Sequence, residues 1–226
     1  MQYENIREAV FLSRPNRFIA HVEIDGREVV AHVKNTGRCK ELLIAGVTVL
    51  VQEFDSPKRK TNYDIIAVYK GDRLINMDSQ VPNKVFAEWA VNSGYFKNIT
   101  LLKAETTYGA SRFDFYMEAD GRKIFIEVKG VTLEENGIVR FPDAPTERGL
   151  KHVYELCGCV DEGFEAYVVF IVQMDGVRYL TPNVTTHKAF GDALIEAEGR
   201  GVKLLALDCT VTPDSITAKN FVPICL

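Results

Sequence analysis

The first 80 residues break into short runs of β-branched and aromatic residues, separated by turn pairs such as Asp25-Gly26 and Gly71-Asp72. Runs at 18–24, 28–34, 47–54, 64–69 and 73–77 read as strands, and RCKELL between the second and third reads as a short helix. Five short strands with one short helix suit a small β-barrel of the OB type, and an SH3-like barrel fits almost as well. The pattern changes at Val81-Pro82. NKVFAEWAVNSG has apolar residues at 85, 86, 89 and 90, a helical spacing, with Pro82 suited to its start and Gly94 to its end. Strands at 99–105, 112–119 and 123–131 follow, then a helix over 146–159 with Thr146 as N-cap and Glu147 in its first turn. The nearly all-apolar run 165–174 has the character of a strand buried on both faces. A helix over 187–198 and a strand at 202–207 complete the series. The expected fold is a two-domain α+β and α/β chain. Residues 1–80 form an OB-like β-barrel, and residues 81–226 an α/β domain with a mixed central sheet between helices.

The segment SRFDFYMEADGRKIFIEVKG, residues 111–130, concentrates the candidate chemistry. Asp120-Gly121 is a common two-residue hairpin turn. With that turn Ala119 faces Arg122, and Asp114 faces Glu127. Phe113, Phe115 and Met117 then share an apolar face with Ile124, Ile126 and Val128. Arg112, Asp114, Tyr116 and Glu118 share the other with Lys123, Phe125, Glu127 and Lys129. A slip of one residue would mix the two sets, so the register is well specified. Facing carboxylates, with Cα atoms ~4.5–5.5 Å apart, repel each other. A divalent cation bound by oxygens relieves the repulsion. Asp114, Glu127 and the Val128 carbonyl would bind Mg²⁺ or Mn²⁺. Lys129, on the same face, would position an attacking water or stabilise a phosphorane. The bland alternative is a solvated sheet face with mixed charge, which gives no reason to set two acids opposite each other.

Composition narrows the setting. A chain of 226 residues with 46% hydrophobic residues can bury a substantial core in one or two domains. The longest apolar run, around 167–172, is too short to cross a bilayer, so no membrane association is expected. The first residues carry acids and no long apolar segment, which argues against a secretory signal and for a cytoplasmic protein. The five cysteines lack framework spacing and read as reduced thiols. The net charge of −4 argues against a strongly basic nucleic-acid binder. Yet residues 1–80 carry 12 Lys+Arg against 11 Asp+Glu, so the acid excess lies in the second domain. Arg14, Arg17, Arg38 and the run Lys58-Arg59-Lys60, beside Phe18 and Tyr63, are the first domain's candidates for a nucleic-acid backbone. The alternative for them is a solvated loop. His21, His32 and His187 stand alone and read as structural.

The order helix, strand, strand with Asp114, strand with Glu127-x-Lys129, helix, strand resembles the restriction-endonuclease-like PD-(D/E)XK superfamily. Phe113 stands where the Pro of that motif would be, and Pro142-Asp143 follows the E-V-K instead of preceding it. The superfamily often carries another acid on its first helix. Glu88 falls there and Glu105 ends the first strand, each a candidate for completing the site or an ordinary surface carboxylate. A closer resemblance spans nearly the whole chain. NTGRCKELL (35–43), VPNKVFAEW (81–89), ETTYGASRFDF (105–115), EVKGVTL (127–133) and FPDAPTERGLKHVYEL (141–156) are similar to the sugar fermentation stimulation protein family, SfsA. This chain departs from it at Val33-Lys34, where the family tends to have Cys-Pro, and at Cys39, where Met is usual.

The resemblance implies an N-terminal OB-like domain, a nuclease-like C-terminal domain and DNA binding. Arg112, Arg148 and Lys151 then join the candidate nucleic-acid contacts. Lys151 and His152 are plain surface residues unless their helix packs beside the hairpin, where Lys151 would reach a phosphate or Glu127. Two readings follow: a Mg-dependent nuclease, or a non-cleaving DNA-binding regulator of sugar metabolism genes. A small-molecule enzyme has no support from a glycine-rich phosphate loop, nucleophile elbow or zinc motif.

Overall fold

The computed structural model describes residues 1–35 and 37–226; Thr36, within the NTGRCKELL segment, lies outside the described residues. The first domain is built from β1 (Ile6–Ser13), β2 (Ile19–Ile24), β3 (Arg27–Val33), β4 (Thr48–Glu53), β5 (Tyr63–Lys70) and β6 (Arg73–Asn76). β1 pairs antiparallel with both β2 and β4. β3 meets β5 in parallel, from Ala31 opposite Tyr63 to Val33 opposite Ile65, which closes a five-stranded barrel. Ala9, Phe11, Val22, Val33, Val51 and Ile65 fill it. β6 extends the sheet from β5.

Two local expectations need correction. β1 is a strand that the pattern did not announce, because only Ala9 and Phe11 of IREAVFLS are buried. RCKELL is a turn and not a helix. The N–H groups of Leu42 and Leu43 both donate to the Cys39 carbonyl, and Cys39 has φ +44°. That left-handed residue ends any helical run where it would start.

The second domain begins with α1 (Val81–Asn92), followed by β7 (Ile99–Tyr108), β8 (Ser111–Ala119) and β9 (Arg122–Val131). Next come β10 (Glu134–Glu135), β11 (Ile138–Phe141), α2 (Glu147–Asp161), β12 (Glu165–Val172) and β13 (Tyr179–Pro182). The chain ends with α3 (Val184–Gly199), β14 (Lys203–Thr212) and β15 (Ser215–Phe221). The main sheet has the order β15-β14-β12-β9-β8-β7, with β12 parallel to both β9 and β14 and the remaining pairs antiparallel. α1 covers one face, where Val85 and Phe86 join Met117, Ile126 and Ile171. α2 and α3 cover the other, where Val153, Leu156 and Leu194 join Phe125 and Phe170. The all-apolar β12 is buried at every position after Glu165, as a central parallel strand requires. Thr146 caps α2 by accepting the Gly149 N–H at 3.0 Å. The expected third helix starts earlier and kinks at His187, whose Nδ1 accepts the Thr146 N–H.

The two domains share more than a linker. Buried Glu134 takes Lys70 and Arg73 from the barrel, each at 2.8 Å. The Arg38 N–H donates to Asp143 at 3.1 Å. The first three residues bridge the domains: Gln2 pairs with Ser215, Tyr3 donates its N–H to the Asp214 carbonyl at 2.7 Å, and the Tyr3 hydroxyl accepts from Asn76 of β6 at 2.8 Å. No helix among the described residues is long and apolar enough to cross a membrane.

Candidate active site

The hairpin register from Ala119–Arg122 to Phe115–Ile126 is the one that the Asp120-Gly121 turn dictates. Beyond Phe115–Ile126 the ladder stops. There the Asp114 carboxylate takes over, accepting the Val128 N–H on Oδ2 at 2.8 Å and the Asn83 amide of α1 on Oδ1 at 2.9 Å. The N–H and C=O of a strand residue point to the same side, so the Val128 carbonyl also faces the gap at Asp114. The break also changes a face. Phe113 does not continue the apolar face of Phe115 and Met117. It packs with Phe125 and His152 beneath α2, while Phe115 packs on Phe86 of α1. On the neighbouring β7, Glu105 adopts φ +52° between the pairs Ala104–Phe115 and Thr106–Phe113.

Glu127 is 4% exposed. Its Oε1 accepts from the Lys129 ammonium and from His152 Nδ1 of α2, the latter at 2.6 Å. Its Oε2 is buried without a hydrogen-bond partner. Burial pushes the Glu127 pKa up, but the His152 hydrogen bond and the Lys129 charge outweigh it, and the group lies below the usual range. Asp114 goes the other way. Burial and the Glu127 charge raise its pKa against the hydrogen bonds of Val128 and Asn83. The Glu127 charge thus bears on Asp114: Glu127 is favoured as an anion by its hydrogen bonds and the Lys129 charge, and Asp114 is disfavoured as one.

This donor set fits a divalent cation. An orphaned buried carboxylate oxygen, a second carboxyl group whose charge burial and Glu127 disfavour, and a backbone carbonyl facing the same gap are hard oxygen ligands. Among the described residues no cluster of three or more His, Cys, Asp or Glu side chains forms a complete protein cage. A cation here would keep positions for water or phosphate.

The structure brings Asp114, Glu127, Val128 and Lys129 together and leaves the two further acids elsewhere. Glu88 pairs with the Met1 ammonium and lines a groove with Trp89 and Phe221. Glu105 is 68% exposed and pairs with Arg112 at 3.5 Å. α1 contributes Asn83 instead, and its position is tightly set. A Cβ on Gly130, just past Lys129, would lie 2.7 Å from Pro82 Cγ, so only glycine lets the start of α1 pack there. His152, not Lys151, is the α2 residue that meets Glu127; Lys151 is exposed and pairs with Glu155.

The basic candidates divide in the same way. Arg14 donates to the carbonyls of Arg17, Asn35, Gly37 and Arg38, which fixes the loop rather than offering charge to a ligand. Arg59 pairs with buried Asp64 and stacks on Phe54 at 3.9 Å. Arg17, Arg38, Lys58, Lys60, Arg112, Arg148 and Lys151 are exposed. A cleft of about 570 Å³ between the barrel and α1 gathers His32, Lys34, Lys60 and Lys84, with Gln52 and Gln80. Lys34 and Lys84 were not anticipated, because neither belongs to a basic run.

Residues 12–77 match the family profile described as the SfsA N-terminal OB domain. Residues 80–215 match the one described as the sugar fermentation stimulation protein RE domain. The chain is 66% identical over 224 residues to a sugar fermentation stimulation protein homolog of Desulfitobacterium hafniense strain Y51, covering 99% of this chain and 98% of the relative. It is 59% identical over 226 residues to the homolog of Clostridium beijerinckii, covering 100% of both. The solved structure of Pyrococcus furiosus SfsA in complex with Ca²⁺ superposes with a TM-score of 0.90 at 26% identity, covering 100% of this chain and 98% of that one.

Proposed function

Because this chain belongs to the sugar fermentation stimulation protein family, SfsA, we propose that it is a DNA-binding protein whose second domain hydrolyses phosphodiesters with Mg²⁺ or Mn²⁺ at Asp114, Glu127 and Lys129. The observation that carries this reading is the buried, unpartnered Oε2 of Glu127 beside a second carboxylate whose charge the fold disfavours. A solvated sheet face has no use for such a pair. The Ca²⁺ in the Pyrococcus furiosus relative supports a divalent cation in a protein of the same fold.

Asp114, Glu127 and the Val128 carbonyl would hold the cation. When bound, it supplies charge to a phosphate oxygen and lowers the pKa of a coordinated water. Asn83 and the Val128 N–H orient the Asp114 carboxylate. His152 fixes Glu127 through Oε1 and leaves Oε2 for the cation. Lys129, 13% exposed and held by Glu127, orients the attacking water or meets the charge that develops on phosphorus oxygens. Lys60 and Lys84 would carry the nucleic-acid backbone, and the exposed Arg17, Arg38, Lys58, Arg112, Arg148 and Lys151 are the candidates for further contacts.

The test is cleavage of single-stranded, duplex and branched DNA, and of RNA, with Mg²⁺ or Mn²⁺, against Glu127→Ala. Metal-dependent cuts that vanish in the variant establish hydrolysis and name the substrate. Tight binding with no cut on any substrate replaces this reading with that of a non-cleaving DNA-binding regulator.

A further inference from the structure

A groove of about 630 Å³ lies between α1 and the edge strand β15, lined by Val85, Trp89, Tyr95, Ala218, Lys219 and Phe221 among others. Trp89, Tyr95 and Phe221 pack together with ring centroids 5.4 to 5.9 Å apart. Tyr95 is still 40% and Phe221 57% exposed, an unusual amount for clustered aromatics.

The strand beside this groove is already half occupied. Ile216 donates its N–H to the Met1 carbonyl at 3.0 Å, and its own carbonyl accepts from the Met1 ammonium at 3.2 Å. Strand alternation turns the N–H and C=O of Ala218 to the same outer edge. Its ladder partner Cys209 agrees, since the Cys209 N–H donates away from β15, to Met174. No described residue pairs with the Ala218 backbone groups on that edge. The edge is therefore filled at Ile216 and open at Ala218, where the aromatic groove begins.

We propose that this groove binds an extended segment of a partner protein, added as a strand to β15 at Ala218, with one large apolar side chain seated against Trp89 and Phe221. The interface continues the one that Met1 to Tyr3 already make with β15. Charge selects a peptide over a nucleic-acid strand. Of the two charged groups in the lining, Glu88 is neutralised by the Met1 ammonium and Lys219 by Asp175 at 2.9 Å. A polyanion finds no free cation in the lining, and an uncharged peptide needs none.

Trp89 is the sole tryptophan, so its emission reports on this groove in the full chain. The probe is a blocked seven-residue peptide of alternating Thr and Val with Phe at its centre. Three controls run beside it: the same peptide with Ala at the centre, the peptide N-methylated on alternate amides, and oligothymidylate. The expected result is a saturable change in emission with the Phe peptide and none with the three controls. Ala218→Pro removes an edge N–H without touching the β14 ladder and should weaken binding roughly tenfold. If that variant fails to fold, the N-methylated peptide on the unaltered protein makes the same discrimination. An equal response to the N-methylated or Ala peptide, a response to oligothymidylate alone, or no saturable response overturns the proposal.

Discussion

The Asp114 carboxylate accepts the backbone N–H of Val128 at 2.8 Å, across the gap where the pairing of β8 with β9 has ended. A side chain has taken the place of a backbone carbonyl. The exchange leaves a carboxylate, its free lone pairs and a backbone carbonyl at the end of a rigid ladder, where a reacting group can approach.

Asp114→Asn tests what that arrangement costs. The folded-state pKa of Asp114 is raised, so its contribution to stability is fully present below the unfolded value and is lost as pH rises through the folded one. At neutral pH the metal-free protein carries that penalty, and the neutral amide removes it. The variant should therefore melt higher than the parent without metal and lose all cleavage. Added Mg²⁺ or Mn²⁺ should raise Tm in the parent and leave the variant unmoved. Differential scanning fluorimetry reads both, and a lower metal-free Tm for the variant would contradict the argument.

His152→Phe keeps the aromatic packing against Phe113 and removes the hydrogen bond to Glu127. Loss of a partner that orients a metal-ligating group typically costs about 10–100-fold in metal affinity. Titration calorimetry with Mn²⁺ should show a fall in that range. Glu127 Oε1 then keeps only the Lys129 ammonium, and loss of the His152 hydrogen bond to a charged group should also lower stability by about 1.5–3 kcal/mol. Unchanged Mn²⁺ affinity would remove His152 from the site.

Glu134 joins the domains through Lys70 and Arg73. Burial raises its pKa, but Lys70, the Gly137 N–H and Arg73 outweigh burial and hold it below the usual range. A depressed folded-state pKa contributes stability above the unfolded value, and that stability is lost as pH falls through the folded one. Glu134→Gln should be about 1–3 kcal/mol less stable at neutral pH and should lose part of the parent's acid sensitivity. Urea melts at neutral and acid pH measure both. Parallel curves for the two proteins would show that the seam does not depend on this charge.

Lys60→Glu and Lys84→Glu both act on the cleft between barrel and α1. Each should weaken DNA binding and reduce the dependence of log K on log salt by about one for every phosphate the variant no longer neutralises. Arg59→Glu should instead lower stability, because it leaves buried Asp64 without its guanidinium. A Lys84→Glu variant with the parent's salt slope would place the backbone elsewhere.

Local signals carried much of this fold. The Asp120-Gly121 turn dictated five ladder pairs, and the apolar run at 165–174 announced the central strand. The crossing of Phe113 was not legible, because it follows from the Asp114–Val128 bond and the left-handed Glu105, neither of which alters the alternation of residue types. His152 was legible in principle. The buried residues Gly149, His152, Val153, Leu156 and Cys157 of α2 recur at helical spacing, which places His152 on the inner stripe and Lys151 off it. Asn83 had no such signal, since its partner is set by how closely Pro82 approaches Gly130. The small strands β10, β11 and β13 were hidden because each spans four residues or fewer.

The bond between Met1 and Ile216 joins positions 215 apart. The strands of the barrel lie close together in the sequence and can pair with one another early, whereas the pairing of residues 1–3 needs β15 to be in place. The segment that precedes the barrel in the sequence is thus among the last to dock, and it acts as a clasp that closes only over a folded second domain.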